Sequence, residues 1–151
     1  MEKDRLLGWR EWVYLPDLGL PLIKAKVDTG ARTSCLHAFE LDTFSRDGKP
    51  WVRFLVHPHQ HSQEPVACEA PLLENRVVTD SGGHAEERPV ISTRLVLGDW
   101  ESPVEVTLTS RDNMLFRMLL GRTAMKKGGF CVDPARSYLQ TTREDNTRPA
   151  L

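Results

Sequence analysis

Short apolar segments alternate with turn sequences about every ten residues along most of this 151-residue chain. In one segment Ile23, Ala25 and Val27 alternate with Lys24 and Lys26, which is the two-residue period of a strand with one buried face. Turn sequences containing Gly, Pro, Asp or Ser separate such segments at 16–19, 45–49, 80–84 and 98–101. The pattern predicts an all-β domain, built as a closed barrel or as a sandwich of two sheets.

The predicted elements cover most of the chain. Strands are predicted over 7–15, 22–27, 33–43, 51–56, 66–72, 76–79, 88–97, 104–108, 114–120, 130–132 and 137–139. Residues 122–127 are predicted to form one or two helical turns, which Gly128 and Gly129 would end. We expect residues 1–141 to form a single domain and the polar residues 142–151 to form a flexible tail.

Composition and charge argue against several classes of function. The formal net charge of -1 argues against direct nucleic-acid binding, since such domains usually carry a clear basic excess. No apolar run reaches the roughly 20 residues that cross a bilayer, and the charged start of the chain, Met1–Arg5, is unlike a secretory signal. The three widely spaced cysteines, Cys35, Cys68 and Cys131, indicate reduced thiols and a cytoplasmic location.

Asp28, Thr29 and Gly30 directly follow the apolar strand that ends at Val27. A carboxylate at a rigid strand end, followed by a glycine that permits a tight turn, is how aspartic peptidases present their catalytic group. Their chemistry needs two carboxylates, one acting as general base on water while the other polarises the carbonyl. Asp80 follows too closely to begin a second half-barrel, so we expect a second copy of the chain to supply the other carboxylate.

Four ordered motifs carry a family resemblance: Ala25–Ser34, Glu87–Val90, Leu119–Arg122 and Val132–Pro134. An Asp-Thr-Gly turn with a later apolar-apolar-Gly strand resembles the retropepsins, which are dimeric aspartic peptidases. The full set is more similar to the RimB-like bacterial family, historically called ATP-dependent zinc peptidases. The resemblance covers roughly residues 10 to 140.

The resemblance implies a fold and a site. The implied fold is a closed acid-protease barrel with one short helix, active as a symmetric dimer. The implied catalytic loop is Asp28, Thr29 and Gly30, and the residues around 40–71 stand as an insertion relative to retropepsins. Residues of about 76–90 correspond to the retropepsin flap, with Gly82 and Gly83 at its tip.

The resemblance also implies an activity. Members of this bacterial family are often encoded beside RimK-type ATP-grasp ligases, which add glutamates to the tail of a small-subunit ribosomal protein. Removal of those glutamates is the implied reaction, with a second copy of the chain and the glutamylated tail as partners. A functional link to the ligase is implied as well, and no cofactor is expected.

Residues beside the motifs point to an acidic substrate. Retropepsins commonly have Asp after their Asp-Thr-Gly-Ala, whereas this chain has Arg32 after Ala31. Arg88 lies on the returning strand of the expected flap, and Arg122 follows the apolar-apolar-Gly strand. Guanidinium groups around one cleft favour carboxylate-rich ligands. Because Ala31 has no hydroxyl to favour a charged carboxylate, we expect an activity optimum nearer neutral pH than that of pepsin-like enzymes.

Two alternatives remain open at this point. The domain could be a non-catalytic binding module on an acid-protease fold, regulating a glutamate ligase. It could instead be a zinc hydrolase that uses His57, His59 and His61, which recur at every second position. Pro58 disfavours a regular strand there, and the chain has no His-Glu-x-x-His motif, so no metal site is expected.

Overall fold

The computed structural model describes residues 5–59, 64–79, 82–110 and 116–140. Its strands are β1 (Leu6–Leu7), β2 (Arg10–Val13), β3 (Ile23–Val27), β4 (Ser34–His37), β5 (Phe39–Arg46), β6 (Lys49–Val56), β7 (Val66–Thr79), β8 (Ala85–Leu97), β9 (Trp100–Thr109), β10 (Met118–Leu120) and β11 (Cys131–Val132). A 3-10 helix covers Pro16–Leu18, and one α-helix, α1, covers Arg122–Gly128. The described part of the chain is therefore mostly β with one short α-helix, as predicted.

Nine of these strands form one sheet in the order β2-β3-β10-β4-β9-β8-β7-β6-β5, while β1 and β11 form a separate parallel pair. Most neighbours in the large sheet are antiparallel, but β10 runs parallel to β3 and β4 runs parallel to β9. These two parallel pairs bring segments that are distant in sequence together at the middle of the sheet. None of the helices in the described residues is long and apolar enough to span a bilayer.

The closed barrel that the resemblance implied is not found among the described residues. The large sheet has two edges, β2 and β5. Just after β2, Tyr14 meets Val96 of β8 in a single bridge, with backbone N–H···O=C distances of 3.0 and 2.8 Å. The hairpin of β5 and β6 continues the sheet beyond β7, so the strand order does not return to β2.

The core lies on one face of the strands, as the alternating pattern predicts. Ile23, Ala25 and Val27 of β3 are buried, whereas Lys26 is exposed. The same alternation buries Val52, Phe54 and Val56 on β6. Cys68 of β7 belongs to this core, and burial raises the pKa of its thiol to about 12. Cys35, Cys68 and Cys131 form no disulfide with one another.

Strand β7 differs from the prediction because the segments 66–72 and 76–79 form one continuous strand. Its pairing with β8 shifts between Leu72, which faces Ile91, and Glu74, which faces Val90. Leu73 is therefore the extra residue of a β-bulge, which increases the local twist and bends the strand. The bulge separates the part of the β7–β8 hairpin beside the core from the part that reaches its tip.

Two other predictions are wrong for identifiable reasons. Residues 33–43 divide into β4 and β5, and Glu40, at the start of β5, has a left-handed backbone conformation with a φ of 52°. Residues 137–139 form no strand. Hydrogen bonds to a buried side chain, that of Glu11 on β2, hold the chain there instead.

Glu11 is completely buried and accepts three backbone hydrogen bonds. Its Oε2 accepts from the N–H groups of Gly8 at 2.7 Å and Leu139 at 2.9 Å, and its Oε1 accepts from the N–H of Gln140 at 3.0 Å. One carboxylate thus satisfies backbone donors from both ends of the described chain. Sequence pattern alone had not singled out this residue.

We expect Glu11→Ala to lower the free energy of unfolding by about 2 kcal/mol, because it leaves buried N–H donors without an acceptor. Glu11→Gln should cost about half as much, since the amide oxygen still accepts hydrogen bonds while its NH2 group faces a donor. Urea denaturation of both variants measures the difference. Equal stability of wild type and Glu11→Ala would contradict this role.

Candidate active site

Strand β10 lies between β3 and β4 and supports the Asp-Thr-Gly loop. It pairs in parallel with β3, with Leu120 facing Val27, and antiparallel with β4, with Leu119 facing Cys35. The backbone N–H of Asp28 donates to the carbonyl oxygen of Leu120 at 2.9 Å. The apolar-apolar-Gly strand therefore runs directly beside the carboxylate loop.

The loop holds the Asp28 side chain through its own backbone. Oδ1 of Asp28 accepts a hydrogen bond from the N–H of Gly30 at 2.9 Å. The N–H of Ala31 donates to the carbonyl oxygen of Asp28 at 3.2 Å, which closes the turn. A Cβ atom on Gly30 would lie 3.2 Å from Oδ1 of Asp28, so a side chain here would press on the carboxylate.

Gly121 directly follows β10 and lies close to the backbone at the start of β4. Its N–H donates to Oγ of Ser34 at 3.0 Å, and Ser34 is buried. A Cβ atom at this position would lie 2.5 Å from the carbonyl carbon of Thr33, a distance that real Cβ atoms do not show. Ser34 thus has a structural partner in this motif, and the close approach explains the need for glycine.

Helix α1 begins directly against the Asp28 loop. The N–H groups of Arg122 and Thr123 donate to the carbonyl oxygens of Ala31 at 2.8 Å and Arg32 at 2.9 Å, so the loop satisfies donors of the first helical turn. The side chain of Arg122 also reaches the loop, and its Nη1 donates to the carbonyl oxygen of Thr29 at 2.9 Å. The Arg122 side chain therefore binds the backbone of the loop.

A cleft of about 640 Å³ opens beside Asp28. Four arginines contribute to its wall, three of them predicted from the sequence and one not. Those four are Arg32, Arg76, Arg88 and Arg122. Gly30 and Ala31 also line it, together with backbone-paired residues from β4, β7, β9 and β10. The arrangement combines the Asp28 carboxylate with four guanidinium groups, which are groups that bind anionic ligands.

Arg76 and Arg88 face each other across the β7–β8 ladder. Nε of Arg76 donates to Glu74 and its Nη2 to Glu105, each at 3.0 Å, and these hydrogen bonds raise the pKa of Arg76. Nε of Arg88 donates to Glu86 at 3.2 Å. The sequence reasoning missed Arg76 because nothing but its register opposite Arg88 distinguishes it from other strand arginines.

The remaining predicted residues lie near the cleft or outside the described residues. Gly82 and Gly83 are exposed near the end of the β7–β8 hairpin. They are not among the residues that line the cleft, which on β7 extend as far as Thr79. Thr29 is exposed and meets Arg122 through its carbonyl oxygen. Asp80, considered as a second carboxylate, and the tail 142–151 lie outside the described residues.

The histidine cluster does not assemble a ligand set within the described part of the chain. The ring of His57 stacks on Phe39 with a centroid distance of 4.5 Å and an interplanar angle of 24°. His59 is exposed, and His61 lies outside the described residues. Among the residues that the structure describes, no group of three His, Cys, Asp or Glu side chains is placed to hold a metal ion.

Comparison with solved structures finds a similar fold. A crystal structure of a Legionella pneumophila protein of unknown function, assigned to the family DUF785, matches with a TM-score of 0.75 and 30% sequence identity. The match covers 88% of this chain and 95% of that chain. The fold of this chain is therefore similar to that of an experimentally determined structure.

Curated relatives of this chain are named as ligases. The chain is 49% identical over 147 residues to a protein of Parasynechococcus marenigrum and 44% identical over 141 residues to one of Shewanella halifaxensis. Both are named as a probable alpha-L-glutamate ligase. The matches cover 96% and 93% of this chain but 31% of each relative, so this chain spans about a third of their length.

A family model described as RimB-like, retropepsin-like aspartic endopeptidase RimB, matches residues 6–143. That description is of an aspartic peptidase, and it gives no support to the older wording of an ATP-dependent zinc peptidase. The match includes the Asp28 loop, β10 and the cleft between them. The chain therefore belongs to the RimB-like family of retropepsin-like aspartic endopeptidases.

Proposed function

We propose that this protein is a homodimeric aspartic peptidase that removes glutamate residues from the acidic tail of a glutamylated ribosomal protein. The observation that carries the proposal is the position of Asp28 on the wall of a cleft that also contains four arginines. Family membership supports the peptidase chemistry. The cationic wall supports a substrate whose residues carry carboxylates.

The proposed reaction uses one Asp28 from each subunit of a symmetric dimer. The ionised carboxylate takes a proton from a water molecule, whose oxygen adds to the scissile carbonyl, while the protonated carboxyl of the second subunit donates its proton to the carbonyl oxygen. Collapse of the resulting diol breaks the C–N bond, and a proton passes to the leaving amine. The products are a carboxylate and an amine, and no other reactant is consumed.

The hydrogen bond from Gly30 supports this chemistry by orienting Asp28. An N–H donor on Oδ1 fixes the rotation of the carboxylate, which leaves its other oxygen to meet water and the second subunit. Arg122 supports it indirectly, because its contact with the Thr29 carbonyl ties the loop to the first turn of α1. Both contacts form within one chain, so dimerisation would add the second carboxylate to an ordered loop.

A second candidate function is a non-catalytic module that serves a glutamate ligase. The observation in its favour is that the curated relatives named as probable alpha-L-glutamate ligases contain a region like this chain within about a third of their length. In such a module the same cleft would hold the acidic product of the ligase without cutting it. Both candidate functions therefore place glutamates in the cleft. Only the peptidase would cleave them, so a test for cleavage distinguishes the two functions.

The test is incubation of the protein with a peptide that ends in several glutamates, followed by mass spectrometry. We expect products shortened by one or more glutamates, at a rate that EDTA does not change. A peptide with glutamines in place of the terminal glutamates is the matched control and should stay intact. Binding of the glutamate peptide without any shortening would overturn the peptidase proposal and favour the ligase module.

A further inference from the structure

We propose that Arg76 and Arg88 form a carboxylate-binding subsite on the β7–β8 hairpin, which selects the acidic side chains of the substrate. The inference rests on the proposed function for the identity of the substrate, and it assigns the recognition to two residues within the cationic wall. Both arginines line the same cleft as Asp28. Sequence alone did not indicate Arg76.

The register of the two strands brings these arginines together. Arg76 and Arg88 are directly opposed in the β7–β8 pairing. Opposed residues of an antiparallel pair have Cβ atoms about 5 Å apart, and like charges at such positions destabilise the pair. A cleft ligand that carries a carboxylate would relieve this repulsion by binding between the two guanidinium groups.

Arg88 is buried, unlike the carboxylate that it contacts. Its side chain is 9% exposed, whereas its ion-pair partner Glu86 is 41% exposed. Nε of Arg88 donates to Glu86, and Nη1 donates to Sγ of Cys35 at 3.7 Å, where sulfur is a weak acceptor. A guanidinium has five N–H donors, and these are the two contacts that the described residues provide. The buried cation therefore keeps donor capacity on the wall of the cleft.

Glutamates of the protein itself hold both arginines. Glu74 lies two residues before Arg76, and Glu86 lies two residues before Arg88, each on the same strand as its partner. Glu105 gives Arg76 a second carboxylate. Glu74 and Glu105 are about half exposed, and the exposed ion pairs that they form with Arg76 are weak. Substrate glutamates can therefore replace these two carboxylates on Arg76 without a large loss.

The other two cleft arginines are less suited to this task. Nη1 of Arg122 is engaged with the carbonyl oxygen of Thr29, where it supports the catalytic loop. Arg32 is exposed to solvent, where a charge contributes little to discrimination. The opposed pair on the hairpin combines burial with a paired geometry, so discrimination between glutamate and glutamine should depend on it.

The test measures binding separately from cleavage. In the Asp28→Asn protein, calorimetry should compare an oligoglutamate peptide with an oligoglutamine peptide of the same length. We expect Arg76→Gln to weaken oligoglutamate binding at least about tenfold, as lost charge-assisted hydrogen bonds would do. Oligoglutamine binding should change little. Unchanged oligoglutamate binding, or equal losses for both peptides, would overturn the subsite.

Two further variants control for changes in surface charge and for loss of the fold. Arg94→Gln is the matched control, because Arg94 lies on β8 and pairs with Asp17 and Glu101 away from the cleft, and it should change binding less than about twofold. Arg88→Lys retains the buried charge but loses the planar guanidinium fork, so it should fold and bind oligoglutamate more weakly. Wild-type affinity in Arg88→Lys would count against the subsite.

The same variants separate this inference from the proposed function. Oligoglutamate binding that depends on Arg76, in a wild-type protein that never shortens the peptide, would overturn the peptidase activity and support the subsite. Cleavage of the glutamate peptide by Arg76→Gln with the wild-type kcat/KM would support the peptidase activity and overturn the subsite.

Discussion

Asp28→Asn is expected to lower peptidase activity by about 10⁴-fold, because an amide cannot take the proton of the attacking water. The variant should fold normally, since Oδ1 of the asparagine can still accept the hydrogen bond from Gly30. Mass spectrometry of the glutamate peptide measures the loss, and thermal unfolding measures the fold. Retention of a tenth or more of the wild-type rate would remove Asp28 from the mechanism.

Mixed dimers test whether each site needs a carboxylate from both chains. Wild-type and Asp28→Asn subunits are mixed at equal concentration and allowed to exchange freely. An enzyme with one shared site per dimer then has about one quarter of the activity of the same total amount of wild-type protein. Subunits that act independently would keep about one half under the same conditions. Sedimentation at the assay concentration is the control, and a strictly monomeric protein with full activity would contradict the shared site.

Gly121→Ala is expected to lower the free energy of unfolding by about 3–4 kcal/mol, at the upper end for over-packing. The new Cβ would lie 2.5 Å from the carbonyl carbon of Thr33, so β10 and β4 would have to separate. That movement would also break the bond between the Gly121 N–H and Ser34 and displace the support of Asp28. Activity should therefore fall together with stability.

Gly129→Ala is the matched control for this prediction. Gly129 ends α1 with a φ of 67°, and a Cβ atom there would meet nothing within 4 Å. Gly129→Ala should therefore lower the free energy of unfolding only through its left-handed backbone conformation, by about 1 kcal/mol. Urea denaturation of both variants provides the comparison, and equal losses of stability would show that the close approach at Gly121 carries no special cost.

Much of the site was predictable because it depends on short stretches of sequence. The alternation over 23–27 predicted the buried face of β3, and the apolar run before Gly121 predicted a strand that leads into a helix. Arg32, Arg88 and Arg122 were expected around one cleft, and the structure does bring them to one cleft. Their roles in binding or catalysis stay predictions until the variants are measured.

Other features were beyond the sequence because they depend on pairing between distant segments. Arg76 lines the cleft because its register places it opposite Arg88. That register depends on a bulge at Leu73, which no turn sequence predicts. The barrel prediction failed for a related reason, because the β5–β6 hairpin extends the sheet instead of closing it. Glu11 was overlooked because two of its three backbone partners, Leu139 and Gln140, are more than a hundred residues away.

The sequence by itself determined the all-β character, the position of the Asp-Thr-Gly turn and the short helix that follows Gly121. These features arise from two-residue periodicity and from glycine in turns and caps, which act over a few residues. The tertiary structure alone decided the insertion of β10 between β3 and β4, the open sheet and the opposed arginines on the hairpin. Register and closure are set by contacts between remote strands, and local sequence constrains those contacts only weakly.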